Sequence, residues 1–352
     1  MIELRDNELV FSFPEVHEDA KMAIDFQRTL RIPDDGTDYM LPPGLGSFPV
    51  RHVDDFADRV PESWLEHGGV MLPMYQSEAL WLNFSSGGGW HFSGGNHGYP
   101  FAVRVATGKI DALTGKTWTD RLRRRRQNYL VVPEQPWLDG YCVEKGLIRQ
   151  FVAMPLGSGY SAEEQITGEA VYGGLQIIAY PMKRERWEQI LEERKSRPGM
   201  VLENAVYCLG ESADLMQTGA VFDMGLAPGG RMRQKIYDDP FKLADWDLEH
   251  ASRCFVHIAN SMVWRAITGE NPPTVPPTSK EYTNAGLPWF ELYDEDSKAL
   301  QGSLDLAGLK SVKEMGAEKG DVPLPENEAV SPDTVVPLRK RASKDQVREG
   351  VF

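Results

Sequence analysis

Between Pro133 and Tyr160 the chain reads PEQPWLDGYCVEKGLIRQFVAMPLGSGY. Arg149 and Gln150 interrupt an otherwise apolar strand at 147–155, and a buried Arg or Gln must find hydrogen-bond partners. Asp139 or Glu144 could supply them. The loop Leu156-Gly157-Ser158-Gly159-Tyr160 then runs into a capped turn at Ser161. A glycine-rich loop, a helix N-terminus and a nearby arginine together can hold an anion. The stretch has two readings. One is a polar brace that fixes strand register. The other is a ligand site formed by Gln135, Trp137, Asp139, Arg149, Gln150, Gly157, Gly159 and Tyr160.

Other chemistry-bearing sets are weaker. His250, Cys254 and His257 are spaced i, i+4 and i+7, so on a helix they share one face and could give three ligands to zinc. On a helix, however, the first and last lie about 10 Å apart along the axis, so they converge poorly. No metal and no cofactor is expected. Residues 107–117, TGKIDALTGKT, end as a phosphate-binding loop ends. That motif needs a glycine at position 110, where Ile110 stands. Two Thr-Gly-Lys turns around 110–113 read better as hairpin chemistry. The glycine-rich loop 85–98 carries His91 and His97 and reads as a connection between strands, with a lid as the alternative. The basic run at Arg121 and 123–126 has no interleaved aromatics and reads as a solvated turn.

Composition narrows the function classes. The 352 residues carry a formal net charge of −14, which repels nucleic acid and anionic membranes. No apolar run reaches the roughly 18 residues of a membrane span. Three cysteines, Cys142, Cys208 and Cys254, form no C-x-x-C pair and argue for a reducing compartment. The expectation is a soluble cytoplasmic protein that binds neither nucleic acid nor membrane.

The elements that must position these residues are mostly strands. In 22–32 the even positions Met22, Ile24, Phe26, Leu30 and Ile32 are apolar, the period of a half-buried strand. Further strands are expected at 8–13, 70–75, 79–84, 101–105, 128–133, 147–155 and 174–180. Ser161 and Glu164 form a capping box, and Gly168 closes its turn. A surface helix is expected at 183–196. The longest helix is expected at 245–268, where Leu248, Ala251, Phe255, Ile258, Met262 and Ala266 make one apolar stripe.

The fold expected is β-rich α+β: an antiparallel or mixed sandwich or curved sheet with one long amphipathic C-terminal helix. Residues 1–270 form one domain, with 183–270 as a candidate small subdomain. Residues 271–285 are a Pro-rich linker, 286–315 a docking segment and 316–352 a disordered tail. Trp289, Phe290 and Tyr293 form an aromatic–acidic island. One helical turn would group Trp289 with Tyr293, and the island would dock on its own domain or on a second copy, making a homo-oligomer. Two functions follow. The first is a binding or self-assembling scaffold protein, with a protein partner open. The second is a hydrolase or isomerase acting on an anionic small molecule near Asp139, Arg149 and Gln150. They differ in whether those residues open into a cleft or are sealed in the core.

Overall fold

The computed structural model describes residues 1–86, 98–195, 222–293, 298–321 and 327–339. Two mixed sheets carry the structure. The larger runs Ile2–Arg5, Glu8–Ser12, Lys21–Thr29, Ala79–Ser86, Leu147–Pro155, Met224–Arg233 and Asp38–Tyr39 in spatial order, with the short strands Trp137–Leu138, Gly140–Glu144 and Gly44–Ser47 beside it. The smaller runs Ile110–Asp111, Phe101–Thr107, Leu175–Pro181, Ser252–Asn260, Val70–Met74 and Arg51–His52. Pairing is antiparallel except for Met224–Arg233 on Asp38–Tyr39 and Ser252–Asn260 on Val70–Met74.

Alternation drives this arrangement. Met22, Ile24 and Phe26 face Phe84 and Leu82 across the ladder and bury completely or nearly so. They join Phe101, Ile177 and Val256 of the smaller sheet in one hydrophobic cluster. The odd positions, Ala23, Asp25 and Gln27, fall on the opposite, outer face, as the two-residue period of a strand requires.

The long helix expected at 245–268 is not there. Ser252–Asn260 is a strand, and only Ser261–Thr268 is helical. The apolar residues of 252–260 fit both periods. Neighbouring strands 175–181 and 70–74 on either side decide for extended backbone, burying both its faces. Asn260 then accepts from Met262 N, 3.0 Å away, and starts the short helix. The longest described helix is Arg184–Lys195, at 12 residues. No described helix is long and apolar enough to cross a membrane.

The segment read as a linker is strapped to the domain beside both sheets. Tyr75 Oη donates to Pro273 O at 2.9 Å, Arg28 donates to Thr274 O, and Ser279 Oγ donates to Arg31 O. Residues Ser279–Asn284 are a capped helix. The aromatic island is a strand, Trp289–Tyr293, rather than a helical turn, and it pairs in parallel with Val335–Arg339. Trp289 is fully buried, with its ring 6.0 Å from that of Tyr39, and Phe290 and Leu41 exchange backbone hydrogen bonds of 2.9 Å. In this structure the island therefore lies against its own chain. Of Tyr293 only the backbone is described. Within the stretch read as a tail, Val312–Lys319 completes a helix and Val335–Arg339 forms that strand, while 322–326 and 340–352 lie outside the described residues.

Candidate functional site

The residues singled out between 133 and 160 do not form one pocket. Gln135 is buried, accepting from Tyr237 N at 2.9 Å and donating to Trp137 O at 3.0 Å. Asp139 is 4% exposed. Its N–H donates to Gln234 Oε1 at 3.1 Å, and its carboxyl accepts from the Gln234 amide. Burial pushes the Asp139 carboxyl up to about 7, opposed by the Gln234 hydrogen bond. Gln150 is fully buried; it accepts from Ile32 N at 2.9 Å and donates to Leu30 O at 2.8 Å, tying 30–32 to the sheet.

These three side chains are sealed; the two glutamines spend their hydrogen-bonding groups on the backbone, and Asp139 on Gln234. Arg149, one residue from Gln150, leaves toward the other face and pairs with Glu314 at 3.2 Å. Glu314 is 56% exposed and the Arg149 side chain 13%, so the pair closes at the surface over a largely covered arginine stem, beside a shallow cleft of about 270 Å³ that also touches Lys310 and Glu318. The Asp139 or Glu144 partner expected for Arg149 is thus replaced by a residue 165 positions on in the chain. Such a pair contributes little, and losing the covered stem adds to it, so Arg149→Ala is expected to cost about 1–2 kcal/mol in urea denaturation. A loss of several kcal/mol would place the guanidinium in the core.

The glycine loop is also closed to an anion. Gly159 N donates to Glu164 Oε1 at 2.6 Å, and Ser161 N donates to Glu164 Oε2 at 3.1 Å. The helix's own capping carboxylate occupies the place a phosphate would take. Gly157 and Gly159 have positive φ, 89° and 79°, as the tight turn requires. Tyr160 donates to Asp321, and the Lys319 ammonium lies 5.1 Å from its ring centroid.

The histidine set is dispersed. His250 Nδ1 lies 2.9 Å from Asp247 Oδ2, which raises the His250 pKa. Cys254 and His257 are three apart on a strand and so face opposite sides. Burial pushes the Cys254 thiol up to about 12 and His257 down to about 4, where the imidazole stays neutral with Nε2 3.0 Å from Gly68 O. Residues 107–117 form the expected hairpin, Thr107 opposite Ile110. His91 and His97 lie outside the described residues.

A different cluster emerges on the outer face of the larger sheet. The register places Glu8 opposite Asp25, Asp25 opposite Asn83, and Asn83 opposite Trp137, one row across four strands. The next row sets Gln27 between Trp81 and Ser47. Opposite residues hold their Cβ atoms about 5 Å apart, so Glu8 and Asp25 are a carboxyl pair. Asp25 is 2% exposed. Gln27 donates to its Oδ2, and Gln27 Nε2 also reaches Ser47 Oγ at 2.9 Å. Its Oδ1 has no hydrogen-bond partner among the described residues. Burial raises the Asp25 pKa. Burial, then the charge of Asp25, then that of Asp6, push Glu8 up to about 7.

Glu8, Trp81 and Asn83 are half-buried. Trp81 stands edge to face with Trp137, centroids 6.5 Å apart. A side chain at Gly44 would meet Gln27 Oε1 at 3.2 Å and the Trp81 ring at 3.5 Å, so the Gly44 backbone packs close beside the ring edge. Of the residues expected from sequence, only Trp137 belongs to this cluster. The signal for the others was the polar complement of the strand pattern: Asp25 and Gln27 alternate with Ile24 and Phe26, and Trp81 and Asn83 alternate with Leu80, Leu82 and Phe84. No protein-family model, curated protein or solved structure matches the chain.

Proposed function

We propose that the protein is a ligand-binding protein and that the outer face of the larger sheet around Glu8, Asp25, Trp81 and Asn83 is its recognition surface. One observation carries this reading: among the described residues, several polar groups on one face have no side-chain hydrogen bond or ion pair. Asp25 Oδ1 is unpaired and buried, and the Glu8 carboxyl and Asn83 amide beside it have no side-chain hydrogen bond or ion pair among the described residues. Buried polar groups are nearly always satisfied, and a face that departs from this beside an aromatic ring is organised for something that arrives. Enzymatic turnover of an anion at Asp139, Arg149 and Gln150 has no such support, because Asp139 and Gln150 are sealed and Arg149 is already paired.

A thermal-shift screen across metabolite classes tests the reading. At least one compound is expected to raise the melting temperature of the wild type by a few degrees when present well above its dissociation constant. Asn83→Ala, a half-buried change with no partner to lose, should melt within about 1 °C of wild type and lose that response. A compound that stabilises wild type and Asn83→Ala equally, or the lack of any stabilising compound, would remove the face from consideration.

A further inference from the structure

We infer that the ligand of this face is a neutral polyhydroxylated ring, a carbohydrate, stacked against Trp81 with its hydroxyls bonded to Asn83 and Glu8. The inference rests on the preceding reading of the face as the recognition surface. It follows from matching the free groups to a ligand. Asn83 offers both donors and an acceptor, Glu8 a half-buried carboxyl and Trp81 a half-buried indole, with the unpartnered Asp25 oxygen sealed beneath them. A vicinal diol presents donors and acceptors in this alternating manner, and its ring C–H face suits an indole.

The face offers little to an anion. Glu8 and Asp25 adjoin and Asp6 adds to the field at Glu8, while Arg5, opposite Glu8 across the first ladder, is engaged by Glu3, and Arg51 by Glu270 and Asn7. A phosphate or carboxylate would meet two carboxyls and, within that row, no cation free of a carboxylate partner among the described residues. The face differs from a cation site as well. Burial is the first cause acting on both carboxyls, and it favours their proton-bearing forms, which donate to hydroxyls and attract cations weakly. Among the described residues no three His, Cys, Asp or Glu side chains converge as metal ligands.

Saturation-transfer NMR and calorimetry on the full chain test this with glucose, galactose, N-acetylglucosamine and cellobiose. Glucuronate, glucose 6-phosphate and choline serve as the charged comparisons. At least one neutral saccharide is expected to bind, with transfer concentrated on the C–H protons of one ring face. Trp81→Ala and Asn83→Ala should each weaken it about tenfold or more, while Trp81→Phe should keep much of the affinity. Tightest binding of choline or of an acidic sugar, lost in Asn83→Ala, would overturn the carbohydrate assignment and leave the recognition surface standing. Saccharide binding that survives both Trp81→Ala and Asn83→Ala would overturn the assignment and the surface together. No binding of any neutral saccharide, with the two variants folded as wild type, would overturn the carbohydrate assignment alone.

Discussion

Asp139→Asn is expected to stabilise the protein by about 4 kcal/mol at pH 8, taking about 1.4 kcal/mol per pH unit of displaced titration, and to give no gain at pH 4. The Asp139 carboxyl is held near 7 by burial, against 3.8 for the free side chain. Among the described residues its compensating contact is the Gln234 amide. An acid that ionises less readily folded than unfolded favours folding below its unfolded pKa. That contribution fades as pH rises from about 4 and is gone above about 7, where the buried group must ionise or the chain must unfold. The asparagine carries no charge and still accepts from Gln234, so the difference between the two proteins should grow across that window and then level off. At pH 4 the neutral acid and the amide are nearly equivalent, with about 1 kcal/mol at stake for the amide's extra donor. Urea denaturation at pH 4, 6 and 8 reads this directly, because titration elsewhere, including at Glu8, is common to both proteins. A difference independent of pH would mean that Asp139 titrates as in water, and the sealed brace would be wrong.

How far the sequence disclosed this molecule depended on the distance between the residues that decide each feature. Local decisions were legible. Ser161 and Glu164 are three apart and form the capping box, with Gly168 in the left-handed conformation that ends the turn. The 107–117 hairpin needed only its turn residues and the failed glycine spacing. The strand at Lys21–Thr29 followed from Met22, Ile24 and Phe26. Residues 245–268 were misread because Cys254, Val256 and Ile258 satisfy a strand period while the wider window satisfies a helical one. The arbiter is a pair of neighbouring strands, one of them about 180 positions earlier in the chain, at Val70–Met74.

The outer-face cluster was hidden for the same reason. Glu8, Asp25, Asn83 and Trp137 form a row only through three ladders that join distant parts of the chain. What the sequence did carry was half of it: Asp25, Gln27 and Asn83 at alternate places of two apolar strands, and Trp137. The densest polar stretch, 133–160, holds buried groups that need partners, and partners such as Gln234 and Glu314, far ahead in sequence, satisfy them. A glutamine in an apolar strand shows that a partner must exist; it does not show whether that partner is a ligand or the fold.

The ion pair under the 107–117 hairpin is where the fold is expected to be most sensitive to a single change. Arg104 is 1% exposed. Its Nη2 donates to Asp111 Oδ2 at 2.7 Å and its Nε to Asn128 O at 3.1 Å, while the guanidinium lies 4.4 Å from the Trp118 ring centroid. Asp111 Oδ1 in turn accepts from Leu113 N, Thr114 N and Thr114 Oγ1, which sets the turn. Removing the cation leaves a buried carboxylate supported by turn donors alone, and breaking such a pair from one side costs about 3–5 kcal/mol. Arg104→Met keeps much of the volume and is expected to lose that amount near neutral pH. Burial already raises the Asp111 pKa, with Arg104 as the main opposing influence, so the variant's carboxyl should be raised further. Folding should then favour the protonated acid, and the loss should shrink as pH falls toward 4. Adding Asp111→Asn to Arg104→Met removes the orphaned charge while keeping an oxygen for the turn, so the double variant should be more stable than Arg104→Met alone at pH 8. If Arg104→Met costs less than about 1 kcal/mol, or the added Asp111→Asn only deepens the loss, the pair is not the buried hub that its geometry describes.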